Sequence, residues 1–241
     1  MDRQKWHRYL IKEISKYIST NVEGGIFLES GVKYGTASVL MAKILKRKGV
    51  LFDTWSNMPH FNKIDAESKQ RKKKLDKRVK GGKDTYQECI NNLTREGVFE
   101  DCELIRGDIC KTLPKYIKSN DISICLLHSD SDLHDPTKVT LECCWSLVKN
   151  GGMVLIHDYK AKQWPGIEKC VNTFLLENKD LHYYSFDDEV TFSILLLKDV
   201  NGEYKDNFDE FIKTFNRNLK IKKEERLKRK LKKGEENAYY I

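Results

Sequence analysis

Four apolar runs of the chain end in acidic or imidazole side chains that could do chemistry. These side chains are Asp53, Asp108, Asp130 and the neighbouring pair His157 and Asp158. A carboxylate in this position can accept hydrogen bonds from both hydroxyls of a ribose, or from the amino group of an adenine. The same groups can deprotonate a hydroxyl or hold a divalent cation. One such acid often only caps a helix, but four in succession predict an adenosine pocket beside a cluster of carboxylate and imidazole groups.

A turn that contains two glycines follows an earlier apolar run. It covers residues 29–36, Glu-Ser-Gly-Val-Lys-Tyr-Gly-Thr. Gly31 and Gly35 allow the backbone to turn tightly and approach a ligand, and the N-terminus of a helix follows. The turn lacks the GxGxxG pattern, so it suits a nucleoside without a pyrophosphate better than a dinucleotide. An ordinary turn between a strand and a helix is the alternative.

Strands and helices alternate along the chain in a way that would bring these residues together. The spacing of apolar residues predicts helices over 4–19, 36–49, 84–97, 110–119, 136–152 and 165–178. Short apolar runs predict strands over 24–31, 50–55, 102–108, 122–130 and 153–159. Two final strands, 181–188 and 189–199, have no helix between them and must pair antiparallel.

This alternation predicts an α/β fold. We expect a Rossmann-like, mostly parallel sheet with helices on both faces and a terminal antiparallel hairpin. Ligands of such sheets bind at the carboxyl ends of the strands. The glycine turn and the strand-end acids should therefore converge on one edge of the sheet.

Several longer motifs surround these strand ends. They are FLESGVKYGTAS, FDTWSNMP, GDICKTLP, LLHSDSDLHDPTKVTLE and NGGMVLIHDY followed by WPG, between about residues 24 and 197. Together they resemble the macrocin O-methyltransferase (TylF-type) family of class I methyltransferases, which use S-adenosylmethionine. The resemblance implies the seven-stranded methyltransferase sheet, in agreement with the alternation above. It also implies an O-methyltransferase that acts on a sugar hydroxyl of a glycan, a glycoconjugate or a nucleotide sugar.

The same resemblance implies which residues contact S-adenosylmethionine. The methionine half would be lined by Glu29, Gly31, Val32, Gly35 and Thr36. The remaining contacts would be Asp53 at the ribose, Asp108 and Ile109 at the adenine, and Asp130 near the transferred methyl group.

In the family that the chain resembles, a divalent metal is held by the first acid of a DxD motif and by two adjacent acids after the fifth strand. Those positions are Asp130, His157 and Asp158 here, so a histidine replaces one acid. Carboxylates suit Mg²⁺, whereas a histidine shifts the preference toward Mn²⁺ or a later transition metal. Alternatively the metal is lost and His157 serves as a base or hydrogen-bond donor. With or without metal, we expect Asp130 to orient or deprotonate the acceptor hydroxyl and the other two residues to complete the site.

Two basic stretches account for the formal net charge of +8. Residues 69–83 hold nine basic residues and one acidic, and residues 217–233 hold ten basic and two acidic; the rest of the chain has 25 basic and 33 acidic residues. This distribution argues against a uniformly basic nucleic-acid coat. We expect a methyltransferase domain over 1–200, in which a basic, lid-like insertion at 57–83 stays out of the core. Its charge could attract an anionic acceptor, and a solvated mobile loop is the alternative. A basic helical tail would cover 201–241.

Composition also bears on compartment and assembly. No apolar run approaches the ~18 residues of a membrane span, and the first residues lack the features of a signal peptide. We therefore expect a cytoplasmic protein without a transmembrane segment. The seven cysteines form no CxxC pair and are expected to be buried thiols. The sequence leaves the oligomeric state open, a homo-oligomer included.

Two other functions stay open at this point. Lysines that flank Asp130 along the chain, together with Glu189, could form the Lys-Asp-Lys-Glu tetrad of an RNA ribose 2′-O-methyltransferase. That function would require salt-sensitive RNA binding, whereas the charge distribution predicts no nucleic-acid partner. The other is a non-catalytic binding module with a methyltransferase fold, for which the replacement at His157 is the only support and which S-adenosylmethionine binding would exclude.

Overall fold

The computed structural model describes residues 3–186 and 192–238, and its centre is one sheet. In these residues the sheet has seven strands: β1 (Ile26–Ser30), β2 (Gly49–Asp53), β3 (Cys102–Arg106), β4 (Ile124–Ser129), β5 (Val148–Ile156), β6 (His182–Phe186) and β7 (Ser193–Leu197). Their order is β3-β2-β1-β4-β5-β7-β6. β7 is antiparallel to β5 and β6, and the other neighbours are parallel. The predicted Rossmann-like sheet with a terminal hairpin is confirmed, while Glu189 lies outside the described residues.

Helices connect the strands and cover both faces of the sheet. They are α1 (Arg3–Asn21), α2 (Thr36–Leu45), α3 (Lys69–Lys80), α4 (Tyr86–Arg95), α5 (Ile109–Ser119), α6 (His134–Cys144) and α7 (Pro165–Glu177). A last helix, α8 (Lys205–Ala238), follows β7 in the sequence. α1 packs on α2, and α6 packs between α5 and α7. α1 buries the side chains that its helical spacing predicts, Trp6, Leu10, Ile11, Ile14 and Ile18.

The middle of the sheet is buried on both faces, as parallel strands between helical layers are. All six side chains of β4 are buried, including the polar His128 and Ser129 at its carboxyl end. Leu28 in β1 lies level with Val50 in β2 and Leu127 in β4. Because water cannot reach this region, polar side chains at the strand ends need partners inside the protein.

The boundary between α6 and β5 differs from the prediction of a helix to 152. α6 ends at Cys144, a 3-10 helix follows at Trp145–Leu147, and β5 begins at Val148. The early start of β5 requires a bulge, since its pairing with β4 shifts register between Val148 and Met153. Gly151, with φ of 79°, allows the bulge. The two glycines that read as a helix end therefore lie inside a strand.

The basic insertion packs onto the core, so the expectation that it stays outside is wrong. Leu75 on α3 is 1% exposed and belongs to the main hydrophobic cluster. Asp65, in a 3-10 helix at Lys63–Ala66, is also buried and accepts a hydrogen bond of 3.0 Å from the backbone N of His134. The sequence did not predict this packing because α3 has a single buried leucine among many lysines, which gives only a weak periodic pattern of apolar residues.

Two compact units divide the chain, Met1–Gly202 and Glu203–Ile241. The first contains the whole sheet, and the second contains α8, where the rings of Phe211 and Phe215 are 6.3 Å apart. Across the described ranges, no helix combines the length and apolar character needed to cross a bilayer. All seven cysteines are described and carry free thiols, four of them buried.

Candidate active site

The carboxyl ends of β1, β2, β4 and β5 meet at one edge of the sheet. Backbone hydrogen bonds join them: Gly31 N donates to Phe52 O at 2.8 Å, Asp130 N to Ser30 O at 2.7 Å, and His157 N to Ser129 O at 2.9 Å. Left-handed backbone is concentrated just beyond these strands, at Lys33, Trp55, Asp132, Asp158 and Lys160. Non-glycine residues adopt this conformation at a cost and tend to do so at functional sites. This edge is therefore the candidate active site.

Gly31 allows the β1 turn to cross the loop after β4. Its φ is +90°, and a Cβ on this residue would clash with the carbonyl oxygen of Asp130 and lie 2.9 Å from Ser131 N. Gly35, with φ of 70°, starts α2. Both predicted turn glycines thus adopt a backbone conformation that favours glycine. The turn lies against Asp130, the residue that we expect to act on the acceptor.

Asp53 ties this turn to the end of β2. Its Oδ2 accepts hydrogen bonds from the backbone N of Val32 and Lys33, both at 2.7 Å, and its Oδ1 accepts one from Trp55 N at 2.7 Å. Asp53, which we predict to bind the ribose, thus also accepts backbone hydrogen bonds that hold the turn in place, a role that the sequence did not reveal. Its role toward a ribose stays a prediction.

Asp108 lies at the end of β3 and caps α5. Its Oδ1 accepts a hydrogen bond from Cys110 N at 3.1 Å, and its Oδ2 lies 3.8 Å from His60 Nδ1 and 3.8 Å from Lys111 Nζ. Ile109 is the first residue of α5 and is buried. Because capping uses only Oδ1, part of the Asp108 carboxylate stays available to a ligand. Its contact with an adenine stays a prediction.

Asp130, His157 and Asp158 come together as the sequence predicts. His157 Nδ1 donates to Asp130 Oδ1 at 2.8 Å and lies 3.6 Å from Asp158 Oδ2. Burial alone would lower the pKa of His157, but the charge of Asp130 and the hydrogen bond to it raise that pKa to about 9. Burial would likewise raise the pKa of Asp130, yet the charge of His157 keeps it below the usual range. At neutral pH the pair is an imidazolium next to a carboxylate.

Asp132 is a further member of the cluster that the sequence analysis did not select. Burial and the neighbouring charge of Asp130 raise its pKa to about 7. Arg78 Nη1 donates to Asp132 Oδ2 at 3.0 Å. The DxD spacing places Asp132 two residues after Asp130, and in the fold its carboxylate lies within 4.8 Å of those of Asp130 and Asp158, with the backbone of Asp132 left-handed.

Two groups of side chains in the described ranges bring possible metal ligands within 4.8 Å of one another. One is Asp130, Asp132 and Asp158, and the other is His7, Asp130 and His157. The first has the all-oxygen character that Mg²⁺ and Mn²⁺ prefer, and the second suits a later transition metal. The predicted set Asp130, His157 and Asp158 overlaps with both and stays a prediction.

A chain of buried polar side chains lies behind the cluster. Glu29, which is 1% exposed, accepts hydrogen bonds from Ser38 Oγ and, at 3.0 Å, from His128 Nδ1. His128 Nε2 lies 3.0 Å from His7 Nε2. The His7 ring in turn packs on the ring of His157, with centroids 3.9 Å apart. Burial lowers the pKa of His7, and the charge of His157 lowers it further, so His7 is neutral.

These buried side chains show a structural role of Glu29 and add two residues, His7 and His128, to the candidate site. The carboxylate of Glu29 accepts hydrogen bonds from Ser38 and His128 and so supports the site from within the core, while its predicted contact with the cofactor stays a prediction. His7 and His128 were missed because a histidine within an apolar pattern is unremarkable by itself.

Comparison with known proteins decides the family. The profile of the macrocin O-methyltransferases (TylF) matches residues 4–182, which is well over half of the chain. The chain belongs to this family. It is therefore a methyltransferase, and the resemblance inferred from the motifs is confirmed. The match also extends through α1, so His7 lies within the TylF-type region.

Solved structures share the fold of this TylF-type chain at low sequence identity. The calicheamicin methyltransferase CalS11 is 19% identical, with a TM-score of 0.61 over 82% of this chain and 80% of that one. The O-methyltransferase NovP is 21% identical, with a TM-score of 0.65 over 80% and 79%. TomG from Streptomyces achromogenes, determined with S-adenosylmethionine, is 13% identical, with a TM-score of 0.56 over 79% and 80%. No protein of curated function matches the chain in sequence.

Proposed function

We propose that this TylF-type methyltransferase transfers a methyl group from S-adenosylmethionine to a sugar hydroxyl. The observation that carries the proposal is the 2.8 Å contact between His157 and Asp130, directly beside the Gly31 turn. An ionised acid thus lies next to the loop that we assign to the methionine half of the cofactor. That adjacency is what a methyl transfer to oxygen requires, because the base and the methyl donor must reach the same hydroxyl.

The residues of the chain fit the cofactor. The turn after β1 contains three left-handed residues, Gly31, Lys33 and Gly35, and leads into the N-terminus of α2. Asp53 and Asp108, at the ends of β2 and β3, are assigned to the ribose and the adenine. When bound, S-adenosylmethionine supplies an electrophilic methyl group on a sulfonium. TomG has been determined with this cofactor, which supports the assignment.

The acceptor assignment follows from the family and from one neighbour. CalS11 is described as a TDP-rhamnose 3′-O-methyltransferase. A sugar hydroxyl has a pKa far above 7, so it must give its proton to a positioned base as the new bond forms. Asp130 is that base in our proposal, since the pKa of its carboxyl is lowered and it is ionised at neutral pH.

His157 has a different role from that of a base. Its pKa of about 9 makes it protonated near neutral pH, so it cannot take a proton from the hydroxyl. It holds the Asp130 carboxylate in one orientation through Nδ1, and Asp158, whose Oδ2 lies 3.6 Å from the same nitrogen, stabilises the imidazolium. Both residues therefore act on the acceptor through Asp130.

A divalent metal fits the same edge. Asp130, Asp132 and Asp158 would hold it through carboxylate oxygens, which lie within 4.8 Å of one another. Burial, and after it the charges of Asp130 and Asp158, raise the pKa of Asp132, and a bound cation would offset those charges. A bound metal would lower the pKa of the acceptor hydroxyl. We propose this carboxylate set alongside the set Asp130, His157 and Asp158 that the family resemblance implies.

The experiment has a binding arm and a transfer arm. Calorimetry measures the affinity for S-adenosylmethionine, and radiolabelled S-adenosylmethionine measures methyl transfer to a panel of nucleotide sugars and glycosides. Asp130→Asn should lower kcat by about 10²- to 10⁴-fold, while S-adenosylmethionine still binds. Asp121→Asn, the same change at an exposed residue just before β4, is the matched control and should leave kcat unchanged.

Each outcome has a distinct meaning. Absence of S-adenosylmethionine binding would favour the non-catalytic module, and near-normal turnover of Asp130→Asn would remove the base assignment. If turnover falls in EDTA and returns with Mg²⁺ or Mn²⁺, two variants distinguish the two metal sets. Loss of the metal response in Asp132→Asn favours the carboxylate set, and its loss in His157→Gln favours the set that contains His157. Salt-sensitive RNA binding with transfer to RNA would favour the 2′-O-methyltransferase instead.

A further inference from the structure

The basic residues of α3 fall into two kinds by position. Its six lysines are all exposed: Lys69, Lys72, Lys73, Lys74, Lys77 and Lys80. Its two arginines, Arg71 and Arg78, lie two turns apart on the face that also carries the buried Leu75. The lysines thus face solvent, whereas Arg71 is half-buried and Arg78 lies on the same side of the helix with its side chain still open to solvent.

Both arginines contact Trp164, the residue before α7. The Cζ atom of Arg71 lies 4.1 Å from the centre of the indole ring, and that of Arg78 lies 5.1 Å from it. Trp164 is 6% exposed, so this is a buried aromatic surface with two cations on it. Stacking fixes both guanidinium groups in position before any ligand arrives.

Within the described part of the chain, each of the two guanidinium groups makes one side-chain hydrogen bond. Arg78 Nη1 donates to Asp132 at 3.0 Å, and Arg71 Nε donates to the carbonyl O of Asp65 at 3.3 Å. Arg71 Nη2 is buried and has no hydrogen-bonding partner among the described residues. A buried donor without a partner is costly, so an acceptor is expected there.

We propose that Arg71 and Arg78 bind a phosphate group of the acceptor, which makes the substrate a phosphorylated sugar or a nucleotide sugar. This inference rests on the proposed function. A phosphate offers several oxygens to two planar donors, and it carries enough charge to compete with the single carboxylate of Asp132 for Arg78. The side chain of Arg78 is 53% exposed, so the ligand can reach it from solvent.

The position of this arginine pair relates it to the reacting group. Asp132, the partner of Arg78, has a carboxylate oxygen within 4.8 Å of Asp130 and Asp158. A phosphate on Arg78 therefore lies next to the residues that act on the hydroxyl. The pair would select an acceptor whose phosphate is close to the methylated sugar, and would disfavour a neutral glycan.

The test uses inorganic pyrophosphate as a probe and calorimetry on the full chain. The double variant Arg71→Lys with Arg78→Lys keeps both charges but removes the planar donors, and we expect it to bind pyrophosphate about tenfold more weakly or worse. The control, Lys72→Met with Lys73→Met, removes two charges from the exposed face and should change the affinity less than about twofold. Thermal melting checks that both variants fold.

Equal weakening in the lysine control, or no pyrophosphate binding by the unchanged protein, would overturn the proposal. S-adenosylmethionine affinity, measured on the same samples, should be unchanged in both variants and reports separately on the proposed function. If methyl transfer occurs but prefers a methyl glycoside over the nucleotide form of the same sugar, the acceptor class proposed here is wrong while the methyltransferase assignment stands.

Discussion

The strongest electrostatic prediction concerns the pKa of His157 in the variant Asp130→Asn. In the unchanged protein, burial opposes protonation of His157, and the charge and hydrogen bond of Asp130 overcome that effect to give a pKa of about 9. An opposite charge at this distance shifts a pKa by about 1–3 units. Removing it leaves burial acting against a weaker attraction from Asp158. We expect the pKa of His157 to fall by about 2 units.

The same shift predicts how stability depends on pH. The folded pKa of about 9 lies above the ordinary value of 6.5, so the contribution is fully present below pH 6.5 and is lost as the pH rises through about 9. The difference corresponds to about 3 kcal/mol, an upper bound because Asp130 is partly exposed and screened by water. The lowered pKa of Asp130 works in the opposite direction, and its contribution is present above 3.8 and lost as the pH falls below it. The ion pair therefore stabilises the fold between about pH 4 and 9.

Two measurements check this reasoning. Histidine ring ¹⁵N chemical shifts, followed from pH 5 to 10 and assigned with His157→Gln, give the pKa directly. Urea unfolding at pH 6.5 and pH 10 gives the stability change, which should be larger in the unchanged protein than in Asp130→Asn. Asp121→Asn controls for loss of one negative charge and should leave the His157 titration in place. A pKa near 6.5 in the unchanged protein, or near 9 in Asp130→Asn, would refute the argument.

Three further changes test the supports of the site. Gly31→Ala should abolish measurable S-adenosylmethionine binding and cost about 1–3 kcal/mol of unfolding free energy, because it adds a backbone clash to a left-handed φ; Gly97→Ala, with φ of +72° but open space around the Cβ, should cost less in the same urea titration and leave cofactor binding intact. Leu75→Ala should destabilise by about 2–5 kcal/mol in chemical denaturation, since the side chain is fully buried; Leu176→Ala, at a residue 72% exposed, should change stability little, and equal effects would show that the insertion is not anchored. His7→Phe keeps the ring packed on its neighbour but removes the partner of Nε2 of His128, a buried histidine of β4, at a cost of about 1–3 kcal/mol; an unchanged melting temperature would contradict this.

Local pattern was sufficient for the fold and for part of the candidate site. Alternation of strand and helix predicted the sheet, because each element buries one periodic set of apolar side chains. It also predicted the meeting of Asp130 with His157, because parallel strands bring all their carboxyl ends to one edge. The start of β5 was missed because its bulge depends on pairing with β4, which the segment 148–152 does not encode by itself.

The sequence by itself determined the order of the elements, the acids at the strand ends and the family to which they belong. Only the tertiary structure decided which side chains surround those acids. His7 reaches His128 across 121 positions of the chain, and Arg78 reaches Asp132 across 54. Contacts at such separations depend on how whole helices pack and on the backbone conformation of single residues, such as the left-handed Asp132. Neither leaves a periodic trace in the sequence, which is why the support of His157 and the arginine pair on Trp164 emerged only from the folded chain.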